Sequence, residues 1–109
     1  MSPITTHVLD LARGRPAPGI PVQLARLVAA PAEWELLGSG VTDEDGRVRN
    51  LLPDGLTVQP GIYRLRFDTS ALSELFPEIS IQFRIASPEQ RYHVPLLLSP
   101  YGYSTYRGS

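Results

Sequence analysis

GIYRLRFD, residues 61–68, decides the fold. Tyr63, Leu65 and Phe67 alternate with Arg64 and Arg66. That period of two puts apolar side chains on one face of a strand and charge on the other. Working outward, ISIQFRI repeats it: Ile79, Ile81, Phe83 and Ile85 face in, while Ser80, Gln82 and Arg84 face out. The stretch between them, residues 68–76, offers the one helix. Asp68, Thr69 or Ser70 supplies an N-cap, Leu72, Leu75 and Phe76 have helical spacing, and Pro77 stops it.

Towards the start, WELLGSGVT (34–42), PVQLARLV (21–28) and ITTHVLDL (4–11) read as strands, with a Pro- and Gly-rich loop over 13–21. DEDG (43–46) and PDG (53–55) are turns, because Asp bonds the local backbone and Gly accepts positive φ. A short strand is expected near Arg47. Towards the end, SPEQ (87–90) turns, and YHVPLLLS (92–99) and YGYSTYRG (101–108) are the last strands. Eleven prolines and nine glycines punctuate the chain too often for long helices. The pattern gives an all-β antiparallel sandwich of seven or eight strands with one short helix. At 109 residues the chain, 1–109, is expected to be one domain with one core.

Composition narrows the function. A net charge of −1 gives no electrostatic footprint for nucleic acid. With no cysteine there is no disulfide, no thiolate nucleophile and no sulfur ligand for zinc. MSPITTHVLDL has neither a basic n-region nor a long apolar run, so no signal peptide is expected, no stretch is long enough to span a membrane, and a cytoplasmic location is. His7 and His93 show no HxH or HxxxH spacing, so no metal or other cofactor is expected.

Those two histidines lie at opposite ends of the chain, inside strands. On residues 92–99 the apolar face is Tyr92, Val94, Leu96 and Leu98, which turns His93, Pro95 and Leu97 outward. Pro95 has no N–H to give a ladder, so that side of the strand is unpaired, at an edge or at a bulge. His7, Leu9, His93, Pro95, Leu97, Ser104 and Tyr106 then share an outer face. It is too apolar for open water and too polar for a core, which points to a second copy covering it and to a shared cavity. Taken singly, a strand histidine is more often structural, an arginine beside a turn is a solvated charge, and tyrosines near a terminus pack or lie exposed.

Three stretches add to this reading: THVLDLARGRPAPGIPV, TDEDGRV and YHVPLLLSPYGYSTYRGS, in that order. Together they resemble the transthyretin-related family in its 5-hydroxyisourate hydrolase branch, over essentially the whole chain. The tail YRGS is the most specific mark. The resemblance implies a transthyretin-like sandwich assembled as a homotetramer, a dimer of dimers. It implies metal-free, cofactor-free hydrolysis of 5-hydroxyisourate to 2-oxo-4-hydroxy-4-carboxy-5-ureidoimidazoline in urate degradation. His7, Arg47, His93, Tyr106 and Ser109 carry over as catalytic residues. His7, Arg47, Tyr106, Arg107 and Gly108 carry over as substrate contacts, and Ser104, from its place on the outer face, is expected to join them. Many members read HYHVP where this chain has Arg91 before Tyr92, a change expected at the rim.

Opening a cyclic amide needs a base for water, a donor for the developing oxyanion and a proton for the leaving nitrogen. A histidine near its ordinary pKa of about 6.5 is mostly neutral at pH 7 and suits the base. His7, with or without His93, is expected to activate water. Arg47 is expected to hold a carbonyl or the developing oxyanion, Tyr106 to stack on or hydrogen-bond the ring, and the Ser109 hydroxyl or carboxylate to orient a histidine or Arg47. Two rivals stand beside this reading. A transthyretin-like carrier of small ligands would want a channel free of histidine. A structural or adhesion module would want polar outer faces, a secretion signal or linkers.

Overall fold

The computed structural model describes residues 3–109. Its strands are β1 (Ile4–Asp10), β2 (Arg15–Pro16), β3 (Pro21–Ala29), β4 (Glu33–Val41), β5 (Gly61–Asp68), β6 (Glu78–Ile85), β7 (Tyr92–Ser99) and β8 (Gly102–Thr105). They form two four-stranded sheets, in the orders β2-β1-β7-β8 and β4-β3-β5-β6. Each sheet turns one face to the other, and the alternation read from sequence fills the space between. Val22, Leu24, Tyr63, Leu65, Phe67, Ile79, Ile81 and Ile85 come from one sheet. Ile4, Val8, Tyr92, Val94, Leu96 and Leu98 come from the other. Leu65 is fully buried, and truncation to Ala there costs about 2–5 kcal/mol. The buried tyrosines keep their hydroxyls satisfied. Tyr63 Oη donates to Gln59 O at 2.6 Å, and Tyr92 Oη accepts from the Ser87 N–H at 3.1 Å.

The fold is all-β, with no helix among the described residues. The helix expected over residues 68–76 is replaced by a single turn. The N–H groups of Leu72 and Ser73 both donate to Thr69 O, at 3.0 and 2.9 Å. Propagation stops there because Ser73 Oγ takes the N–H of Phe76 at 2.9 Å and the Thr69 hydroxyl donates to Phe76 O. Side-chain bonds of this kind compete with a helix ladder. The strand expected near Arg47 is one isolated bridge to His7, and a short strand lies instead at β2. The sheets are antiparallel except for one pair: β1 and β7 run parallel, with Thr5 opposite His93 and His7 opposite Pro95.

That parallel pair brings residues from the two ends of the chain side by side. β7 lies between β1 and β8, so Pro95 is not on an edge strand. Its missing donor falls on the side facing β8. There His93 O accepts from Gly108 N at 2.7 Å and Pro95 O accepts from Thr105 Oγ1 at 2.7 Å. With no N–H at Pro95 the ladder fails, so β8 ends at Thr105 and the chain bridges β7 again only at Gly108.

Candidate active site

The site is assembled on the outer face of the β2-β1-β7-β8 sheet, where Thr5, His7, Leu9, His93 and Leu97 are half-buried. Pro95, expected on this face, is buried. The DEDGR turn supplies one wall. Asp43 N donates to Arg47 O at 2.8 Å, and Gly46 N donates to Asp43 O at 2.9 Å. Asp43 Oδ1 accepts from the N–H groups of Asp45 at 2.9 Å and Arg47 at 3.0 Å, while Oδ2 accepts from Arg49 Nε at 3.2 Å. The Arg47 N–H, first among these donors, holds the Asp43 carboxyl below the usual carboxylate range. Gly46 has φ +76°, and a Cβ there would lie 2.4 Å from Val8 O, so only glycine closes this turn against β1. The turn docks through Val8 N, which donates to Gly46 O at 2.8 Å.

Docking the turn fixes a histidine. His7 Nε2 lies 2.6 Å from Asp45 O. A carbonyl only accepts, so Nε2 carries the hydrogen and the lone pair of the neutral ring sits on Nδ1. On the neighbouring strand, His93 Nδ1 lies 2.8 Å from Thr5 Oγ1. The two imidazole centroids are 6.5 Å apart with planes tilted by 39°. Burial first, then the Arg47 cation and the electrostatic coupling to the neighbouring His7 ring, push the His93 pKa below the ordinary histidine value. The shift favours the neutral ring, which keeps a lone pair able to accept a proton, as a somewhat weaker base.

Gly108 seals the other side. A Cβ at Gly108 would sit 2.5 Å from His93 Cδ2, so the backbone reaches the imidazole only because the side chain is absent. Around these groups lies a cavity of about 700 Å³, with Thr5, Asp43, Arg47, His93, Gly108 and Ser109 in its walls. Arg49 and Arg91 line it too. Arg49 carried no sequence signal beyond its closeness to the DEDGR turn.

Not every expected residue converges here. His7 lies beside His93 rather than in the cavity wall. Arg107 is drawn off: its Nη2 donates to Gln90 Oε1 and Arg91 O, both at 3.0 Å, and its guanidinium stacks 4.2 Å over the Tyr92 ring. Tyr106 and Arg107 line a separate depression of about 230 Å³ with Phe83 and Tyr92. Ser104 lies opposite Leu97 on the outer face and lines neither space.

Comparison with known proteins gives the same frame. Residues 4–108 match the model of the HIUase/Transthyretin family. The mouse 5-hydroxyisourate hydrolase is 44% identical over 114 residues, covering 99% of this chain and 96% of that protein. Among solved structures, the Klebsiella pneumoniae 5-hydroxyisourate hydrolase superposes with a TM-score of 0.81 at 35% identity, covering all of both chains. Sea bream transthyretin in complex with thyroxine superposes with a TM-score of 0.85 at 30% identity, covering 98% of this chain and 95% of that one. Backbone shape thus fails to separate the hydrolase from transthyretin. Sequence and site chemistry do the separating.

Proposed function

This chain belongs to the HIUase/Transthyretin family, and on that premise we propose that it hydrolyses 5-hydroxyisourate to 2-oxo-4-hydroxy-4-carboxy-5-ureidoimidazoline in urate degradation. One observation carries the reading beyond resemblance: a neutral imidazole, His93, and a permanent cation, Arg47, share the walls of one cavity. Neutral His93 accepts a proton from water as the water attacks the ring carbonyl. Negative charge builds on that carbonyl oxygen, where the planar fork of Arg47 donates. The ring C–N bond then breaks, and the leaving nitrogen takes a proton from the imidazolium. Beside it, His7 is locked as the Nε2–H tautomer with Nδ1 basic, which suits it to share the proton work. Ser109 lies within reach of the same space. Gly108 acts by letting the backbone close on His93. Tyr106, Arg107 and Ser104 stand apart from the cavity within one chain, so their part in binding depends on a second copy presenting them.

The proposed assembly is a homotetramer, a dimer of dimers, with its substrate cavities where outer faces meet. Half-buried Leu9 and Leu97 beside the imidazoles, and exposed Tyr103 and Tyr106, support a covered face. Light scattering at micromolar concentration tests this, and a mass of one chain contradicts it. A cytoplasmic location is part of the proposal, and cell fractionation tests it. For the activity, 5-hydroxyisourate is generated with urate oxidase and the circular dichroism of the product is followed. A single enantiomer is expected with the protein present, and a racemic product contradicts catalysis.

A further inference from the structure

We infer that Asp43 is a positioning residue for the hydrolysis: its carboxylate fixes the turn whose Asp45 carbonyl selects the His7 tautomer and whose next residues present Arg47. This rests on the hydrolytic reading of the cavity above. Among the described residues Asp43 makes no hydrogen bond to either imidazole. Its Oδ1 takes two adjacent backbone donors, Asp45 N at 2.9 Å and Arg47 N at 3.0 Å, while Oδ2 takes Arg49 Nε at 3.2 Å. Its own backbone closes the same loop from both sides, through Arg47 O at 2.8 Å and Gly46 N at 2.9 Å. Five contacts thus converge on one residue.

That loop needs holding. Its glycine sits at φ +76° against Val8 O, so the turn has no spare room in which to relax. The turn's hydrogen bond to the imidazole pair is made by a backbone carbonyl, Asp45 O, 2.6 Å from His7 Nε2. In water the two tautomers of a neutral histidine are close in energy, and a single well-aimed carbonyl sets which one is present. If the turn loosens, Asp45 O moves off and Nε2–H loses its partner. His7 then redistributes its proton between both nitrogens. Arg47, one residue past the turn's end, drifts with it. The effect reaches chemistry through two side chains at once, and a displacement of about 1 Å at such groups costs about 10²-fold in rate.

A carboxylate is the right group for this post. Two backbone N–H donors and one guanidinium need three acceptor sites in a small space, which an ionised carboxylate supplies and a hydroxyl does not. Asparagine supplies one oxygen for the two N–H groups but turns an amide towards Arg49. The inference therefore separates substitutions by what they still accept.

The test uses the full chain labelled with ¹⁵N, whose two histidines make the ring spectra easy to assign. Tautomer state, kcat and KM are measured for wild type, Asp43→Asn, Asp43→Ser and Asp43→Ala. Wild-type His7 is expected as the Nε2–H tautomer. Asp43→Asn keeps that tautomer and loses less than tenfold in kcat. Asp43→Ala shows a tautomer mixture at His7 with kcat down about 10²-fold, a pairing that a merely structural role does not produce. Where Asp43→Ala fails to fold, Asp43→Ser against Asp43→Asn decides, with the larger loss and the mixed tautomer expected in Ser. The inference is overturned if His7 keeps one tautomer and kcat stays within twofold in every folded variant without the carboxylate. A wild-type chain that does not turn over 5-hydroxyisourate sinks the proposed function instead, while the ring spectra still test the turn.

Discussion

The two outer faces of the sandwich hold similar residues put to opposite ends. On the β4-β3-β5-β6 sheet three arginines are spent on neighbours. Arg26 pairs with Glu35 at 3.1 Å, Arg66 with Glu78 at 3.3 Å, and Arg64 stacks 4.3 Å over Trp34. Each is a local, half-solvated contact worth a few tenths to about 1 kcal/mol. On the β2-β1-β7-β8 sheet, Arg47 stands with His93 around one cavity, and two glycines bring backbone against the imidazoles. The lesson is that residue type does not mark a site. Convergence on one space, held by contacts that tolerate no extra atom, does.

The widest gap between the faces should appear on removing a reacting group. His93→Ala is expected to lower kcat by about 10²–10⁴ while melting temperature shifts little. Arg47→Gln is expected to cost about 3–4 kcal/mol of barrier, read as kcat/KM. Steady-state kinetics checks both, and activity within threefold in either variant breaks the comparison. Next comes Gly108→Ala. The added carbon meets His93 Cδ2 at 2.5 Å, so the ring or the tail must shift, and a loss of about 10² in kcat is expected.

A subtler difference lies in pH. His93 has its pKa lowered by burial and by Arg47 and His7, so its neutral form persists below the ordinary histidine value. The acid limb of kcat/KM is therefore expected below pH 6.5, the model-peptide value. The linkage sign agrees. A histidine whose folded pKa is depressed adds stability above its unfolded pKa, and that stability is lost as pH falls through the folded one. Arg47→Gln removes one of the opposing charges, so a ¹H NMR titration of His93 in that variant should move upward. A downward movement contradicts the assignment. The smallest expected effect is on the other face: Arg64→Gln should leave kcat within twofold, because its guanidinium touches Trp34 and not the cavity.

Much of this was legible in the chain. Alternation at Tyr63, Leu65 and Phe67 and at Ile79, Ile81 and Ile85 is a backbone period that tertiary context does not override, and those side chains are core. The facing of His7 and His93 followed from the same period. What misled was local. Residues 68–76 carry real helix signals, but Thr69 and Ser73 bond the backbone of their own turn and end it. Pro95 announced a broken ladder without saying that the break would fall inside a sheet, opposite Tyr106 and Arg107. Arg107 was expected at the substrate, and nothing in its neighbours foretold that Gln90, Arg91 O and the Tyr92 ring would hold it elsewhere. The work of Asp43 was hidden for another reason. A DEDG turn looks the same in sequence whether or not its carbonyl meets an imidazole.

The most direct measurement is the ultraviolet decay of freshly generated 5-hydroxyisourate, with its spontaneous opening subtracted, for wild type and His93→Ala side by side. Wild type should speed the decay well above background, and His93→Ala should fall back to within a small multiple of it. Decay at the spontaneous rate with wild type, or an undiminished rate with His93→Ala, contradicts a hydrolytic cavity built on that imidazole.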